Sequence, residues 1–227
     1  MLKCVIFDLD GTLTDSAPLI TNTVRETMRA LAGVDKPADS YLPFVGPPLR
    51  DGFAHEGVDP AHIDAYINDY RERYERVQDE TPVFLGVPDM LAQLKKSGVR
   101  LAIATSKQRE VAIEVCEAIG LSHYFDYIAG AVSPHQPSTK ANIIGDVLAE
   151  FESRSILDPS RRAHEDTYRD DVLMVGDRIY DIEGAREQGI ATVLVTWSGT
   201  TPSSECAQAW KVAGSVEELA DVLRRNF

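Results

Sequence analysis

The chain has 227 residues, 44% hydrophobic and 26% charged, which suits a soluble globular protein with one large domain or a domain carrying a smaller insertion. A formal net charge of −13 excludes general affinity for nucleic acid or an anionic membrane, but leaves room for a small anion wherever basic groups concentrate. Three cysteines, Cys4, Cys116 and Cys206, are odd in number and lack metal-ligand spacing, so they read as buried or incidental thiols of a reducing compartment. Asp8 interrupts the first apolar run before it reaches the length of a signal peptide, and no stretch is long enough to span a membrane, so a cytoplasmic location is expected.

In chain order, a buried strand is expected over 4–7, running into "DLDGT" with Asp8 and Asp10. Residues 16–82 then carry no good strand but two helical stripes: Ile20, Val24, Met28 and Leu31, followed by Ile63, Ile67, Tyr70, Tyr74 and Val77. This reads as a helical insertion hinged at 14–17 and 81–87, where proline and glycine interrupt the period. Between the stripes, "YLPFVGPPLRDGF" is the expected ligand-facing loop. Gly46-Pro47-Pro48 fixes a rigid turn, and Arg50 is placed to meet a second anionic group, although packing with a surface arginine would look similar. Tyr41, Phe44 and Phe53 are candidates to stack on a base, with core packing as the alternative.

Beyond the insertion, Leu91 and Leu94 before Gly98 mark one helix, and Val111, Val115 and Ile119 before Gly120 mark another. Strands are expected over 101–104, 127–129, 172–175 and 191–195. Residues 152–171 are polar and aperiodic, and read as a long surface connection with one short helix starting near Ser160. The chain closes with a helix over 215–223, where Ser215 and Glu218 have capping-box spacing and Val216, Leu219, Ala220 and Leu223 form the apolar face. Alternating strands and helices imply an α/β fold, an open parallel sheet covered on both faces.

In such a sheet ligands bind beyond the carboxyl ends of the strands, and chemically useful residues collect there. Asp8 and Asp10 follow the first strand, Thr105 and Ser106 follow the second in "ATSK", Lys140 opens a later helix, and Asp177 and Asp181 lie in "VGDRIYD". Each has an ordinary alternative: aspartates and threonines cap turns and helices, and most lysines are solvated.

The order "DLDGT", "ATSK", a lone lysine opening a helix, then "VGDRIYD", resembles the haloacid-dehalogenase superfamily over nearly the whole chain. That resemblance implies a Rossmann-like catalytic core, residues 1–15 and 83–227, with an all-helical cap over 16–82 that sets substrate specificity. It implies that Asp8 is a nucleophile forming an aspartyl-phosphate, and that Asp10 protonates the leaving group and later activates water. It further implies that Thr105 and the Ser106 backbone N–H bind the transferring phosphoryl oxygens. Lys107, Gly46 and Arg50 join Thr105 and Ser106 as the expected substrate contacts.

A carboxylate approaching a phosphate monoester meets repulsion of about 4 kcal/mol per charge pair at ~4 Å in an effective dielectric near ~20. Mg²⁺ held by the Asp8 and Asp177 side chains and the Asp10 carbonyl would offset it, with Lys140 adding positive charge and Asp181 orienting metal-bound water. The sequence departs from the commonest family pattern, in which this lysine directly precedes a proline. In "HQPSTKANII" Pro137 comes earlier, and the lysine opens the helix, a variant that occurs within the family.

The expected activity is hydrolysis of a small phosphorylated metabolite, similar to phosphoglycolate phosphatases. A nucleotidase-like branch is the alternative, on the "GPPL" loop and the shifted lysine. A sugar phosphomutase would need a constellation of basic cap residues that is not evident. A dehalogenase would need neither the metal nor an acid at Asp10, and a non-catalytic binding module would be expected to have degenerate motifs.

Overall fold

The computed structural model describes residues 2–132, 138–161 and 168–225. Six parallel strands form one sheet: β1 (Cys4–Phe7), β2 (Arg100–Gln108), β3 (Tyr127–Ala131), β4 (Val172–Gly176), β5 (Ala191–Val195) and β6 (Lys211–Ala213), in the order β3-β2-β1-β4-β5-β6. Side chains of a strand point alternately to its two faces, so β1 serves two cores at once. Val5 and Phe7 pack with Leu91, Val115 and Leu219 on one face, whereas Cys4 and Ile6 pack with Ile144, Val147 and Phe151 on the other. The first face is covered by α4 (Val87–Lys96), α5 (Arg109–Ala118) and α9 (Val216–Arg224), the second by α6 (Lys140–Ser153) and α7 (Ile179–Glu187).

Between β1 and α4 lie α1 (Ala17–Ala32), α2 (Leu49–His55) and α3 (Ile63–Tyr74), with 3₁₀ turns at Ala38–Phe44 and Gln78–Glu80. The expected stripes of α1 and α3 are buried except at their ends. In α1 burial stops at Met28; Leu31 is 45% exposed along with the rest of the last turn, and Val77 lies beyond the end of α3, half-buried. The aromatic residues considered for stacking on a ligand pack on one another, the alternative reading, although Phe44 also borders the cavity described below. Phe44 lies edge-on to Tyr41 and Phe53, and Tyr41 and Phe53 are fully buried in the apolar cluster that continues to Val5 and Phe7 of the sheet.

Three further expectations are corrected. β2 continues past Ala104 through an irregular pairing to Gln108, and β6 and α8 (Ser203–Cys206) were not foreseen. The stretch read as a surface connection is anchored at both ends. Leu157 is buried, a 3₁₀ turn spans Pro159–Arg161 near the expected helix start, and residues 162–167 lie outside those described. Past them the chain turns inward: Arg169 Nε donates to Asp171 Oδ1 at 2.8 Å, both side chains are buried, and the Asp171 carbonyl accepts the N–H groups of Lys3 and Cys4. Pairing is what lets these charges leave water. Among the described residues no helix is long and apolar enough to cross a membrane.

Removing Asp171 takes from the buried Arg169 its 2.8 Å partner and leaves it Glu152 at 3.6 Å, so Asp171→Ala is expected to cost about 3 kcal/mol of unfolding free energy in urea titration. A cost below about 0.5 kcal/mol would show that the pair is solvated and dispensable.

Candidate active site

The strand order reverses around β1, since the chain builds β2 and β3 to one side and β4 to β6 to the other. A crevice forms at the carboxyl ends on either side of such a point. Asp8 extends β1, its N–H donating to the Val175 carbonyl of β4 at 2.8 Å, and Asp177 follows β4 directly. Both are buried, as are Asp10, Thr105, Lys140 and Asp181. Gly11, at φ 81°, lets the loop after β1 close on Asp177: a Cβ there would lie 2.4 Å from Asp177 Oδ2.

The ammonium of Lys140 ties these loops together. It donates to Asp8 Oδ1 at 2.9 Å and to the Ala104 carbonyl at 3.1 Å, and lies 2.9 Å from Asp181 Oδ1. The other oxygen of Asp181 accepts the Arg178 N–H at 3.1 Å. Burial opposes the charge of Lys140, yet Asp181 and Asp8 together hold its pKa above the usual lysine range. Burial pushes Asp8 up to about 7 against the pull of Lys140, with Asp181 and Asp10 adding to the rise. Burial also drives Asp177 well above the carboxylate range, reinforced by the charges of Asp8 and Asp181.

Carboxylate oxygens of Asp8, Asp177 and Asp181 lie within 4.8 Å of one another. Three acids beside one lysine leave an excess of buried negative charge, and an all-oxygen donor set of this kind suits a hard divalent cation such as Mg²⁺. Among the described residues Asp177 accepts long contacts from Thr12 Oγ1 and Thr200 Oγ1, each 3.4 Å away. Both oxygens of Asp181 are already engaged.

Above this floor is a cavity of about 360 Å³ between the strand ends and the inserted helices. Asp8, Asp10, Thr105, Ser106 and Lys107 line it from the sheet, while Gly46, Arg50, Ile67 and Tyr70 line it from the helices. Lys107 bridges the two sides: its Nζ lies 3.2 Å from Asp10 Oδ2, donates to the Tyr74 hydroxyl at 3.2 Å and sits 4.4 Å from the centre of that ring. Asp10 Oδ1 is buried without a hydrogen-bond partner among the described residues, leaving one oxygen available beside the cavity. The Lys107 N–H donates to Thr105 Oγ1 at 3.2 Å.

The structure thus brings Asp8, Asp10, Thr105, Ser106 and Lys107 to the cavity and sets Lys140, Asp177 and Asp181 against Asp8. Arg50 reaches the cavity wall but is ion-paired with Asp64 at the surface. Pro137 lies outside the described residues. Sequence reasoning missed Arg71, which lines the cavity from α3, has no ion pair among the described residues and has its pKa lowered by burial. Its place one residue after Tyr70, at the edge of the apolar stripe, was the available signal.

Comparison with known proteins bears on the family and the fold. Residues 5–195 match the family of haloacid dehalogenase-like hydrolases. A 5'-nucleotidase of Pseudomonas aeruginosa is 35% identical, the match covering 98% of this chain and 96% of that protein. Tyrosine-protein kinase PtkA of Mycobacterium tuberculosis is 34% identical over 86% of this chain but 62% of its own length, so the chain spans less than two thirds of that relative. The crystal structure of a predicted phosphatase from Clostridium acetobutylicum superposes with a TM-score of 0.85 at 31% identity, covering 99% of both chains.

Asp8 and Asp177 bind protons more tightly folded than unfolded. Their contribution to stability is complete below the ordinary carboxylate range and is lost as pH rises through about 7 for Asp8. The melting temperature of chelator-treated protein is therefore expected to fall between about pH 5 and about pH 8, with Mg²⁺ restoring it at the upper end. A pH profile identical in Asp8→Asn would assign the effect to other groups.

Proposed function

The chain belongs to the haloacid dehalogenase-like hydrolases, and we propose that it is a Mg²⁺-dependent phosphatase that cleaves a small phosphomonoester through an aspartyl-phosphate. The observation that carries this reading is the meeting of Asp8, Asp177 and Lys140 beneath a cavity onto which Asp10 opens.

In this reading an Asp8 oxygen attacks phosphorus, the ester P–O bond breaks, and the departing alkoxide takes a proton from Asp10. Water then attacks the phosphoryl group, Asp10 takes back a proton, and phosphate leaves with Asp8 restored as carboxylate. Mg²⁺, held by Asp8, Asp177 and the Asp10 carbonyl, would supply the positive charge that lets two anions meet. Lys140 fixes the free rotation of the Asp8 carboxylate, and Asp181 fixes Lys140. Thr105 and the Ser106 N–H receive the phosphoryl oxygens as they gain charge.

For the leaving group, a phosphoglycolate-like substrate would set its carboxylate against Lys107, Arg50 or Arg71. A nucleoside monophosphate is a second reading favoured by two observations. The cavity of about 360 Å³ exceeds what a two-carbon leaving group needs, and Ile20, Phe44, Leu49 and Val111 give it apolar surface. The 5'-nucleotidase relative covers nearly the whole chain. Residues 16–82 would then act as the specificity cap, closing over the ester to exclude water.

The test is phosphate release from phosphoglycolate, nucleoside monophosphates, sugar phosphates and phosphotyrosine, with and without Mg²⁺. Mg²⁺-dependent release is expected without any added bisphosphate, which also separates hydrolysis from mutase chemistry. Asp8→Asn should abolish it, and Asp10→Asn should slow it about 10²–10⁴-fold. No release from any ester, or full turnover by Asp8→Asn, would overturn the assignment.

A further inference from the structure

Arg178 stands between Asp177 and Asp181 as the N-cap of α7. Its backbone is fixed by Asp181 in both directions: the Arg178 N–H donates to Asp181 Oδ2 at 3.1 Å, and the Arg178 carbonyl accepts the Asp181 N–H at 3.0 Å. The side chain reaches away from the sheet into the helical insertion. Nη1 donates to the Val45 carbonyl at 2.8 Å, and Cγ lies 3.1 Å from where a Cβ on Gly46 would stand.

Glu205 of α8 steadies this arginine. One of its oxygens lies 3.6 Å from Arg178 Nε and accepts the Ile179 N–H at 2.7 Å. The side chains of Arg178 and Glu205 are only 16% and 11% exposed, so these contacts are largely shielded from solvent, where a charge-assisted hydrogen bond holds most strongly. Val45 leads directly into Gly46, Pro47 and Pro48, which line the cavity. Contacts therefore run unbroken from the cavity wall through Arg178 and Asp181 to Lys140 and Asp8.

We propose that Arg178 is a positioning residue that latches the Gly46-Pro47-Pro48 turn onto the loop carrying Asp177 and Asp181. It need not touch the substrate; it acts through the Val45 carbonyl, so that the wall of the cavity and its acidic floor hold one relative position. The latch is a property of the ligand-free chain, and only its kinetic consequence rests on the phosphatase reading.

Hydrogen exchange on the full chain tests it, comparing Arg178→Ala and Arg178→Lys with the unaltered protein. Alanine keeps the backbone cap on α7 and removes the latch together with the Glu205 ion pair, while Glu205 keeps the Ile179 N–H. Among the amides that report on the turn are those of Val45, Asp51 and Gly52, which donate to Leu42 and Pro48. Loss of one charge-assisted hydrogen bond is expected to speed their exchange about tenfold or more in Arg178→Ala, leaving β1 and β4 unchanged, with Arg178→Lys between the two. In phosphate release, KM is expected to rise about tenfold with kcat changed less than about threefold. Unchanged exchange over 44–52 would overturn the proposal, as would faster exchange spread equally through β1 and β4. If the unaltered protein released no phosphate, the phosphatase reading would fail while exchange still decided the latch.

Discussion

The site depends on one buried ammonium. Lys140 opens α6, yet its charge is shared among Asp8 after β1, the Ala104 carbonyl of β2 and Asp181 of α7, so four elements are placed relative to one another by a single group. Such a cluster is a poor investment in stability. Desolvating charges costs several kcal/mol each, and an apolar replacement of similar volume is often as stable or more so. Lys140 also leaves the balance incomplete, because Asp177 sits with the other two acids and, among the described residues, receives two long hydroxyl contacts. In the phosphatase reading, charge arranged this way would be held for a reaction in which further charge arrives.

The rest of the architecture separates two duties. Strand ends carry the acids, because a parallel sheet with both faces covered is the most rigid part of the molecule and fixes their positions tightly. Inserted helices carry the cavity wall, built on a small aromatic core of Tyr41, Phe44 and Phe53. Polar bridges cross between the two parts: Lys107, which lines the cavity, reaches Tyr74, and Arg178, next to Asp177 of the acidic cluster, reaches Val45. In the phosphatase reading, bridges of this size would bias a closed arrangement without making it permanent, which would suit a cavity that admits one molecule and releases another.

The sequence shows some of this more clearly than the rest, for physical reasons. Strands buried on both faces are continuous apolar runs, so β1 and β5 are readable to the residue, whereas β6 is three residues at a sheet edge with only Ala213 buried and has no such signature. The 3₁₀ turn at Ala38–Phe44 and α2 contain Pro43 and Gly52, residues that argue against a helix until tertiary packing overrides them. Asp8, Asp10, Asp177 and Lys140 could be found because each follows a strand or opens a helix in a fixed order. Arg169 could not be recognised as buried, because its partner Asp171 makes the segment look more polar, and that pairing is what lets it go inside. Glu205 belongs to a four-residue helix, and nothing local announces that it holds Arg178.

Bulk charge and local charge work in opposite directions, and in the phosphatase reading that opposition would sort ligands by size. A chain of net charge −13 repels an extended polyanion along its whole length. In the phosphatase reading, a monoester would present its charge at one end and need only a few cations within reach, for which Lys107 near the cavity floor and Arg71 on its helical wall are placed. Asp51, Glu75 and Glu114 also line the cavity, so an anion whose second charge falls away from those cations meets repulsion there. The same acidic composition that argues against a large anionic partner therefore sharpens the choice among small ones.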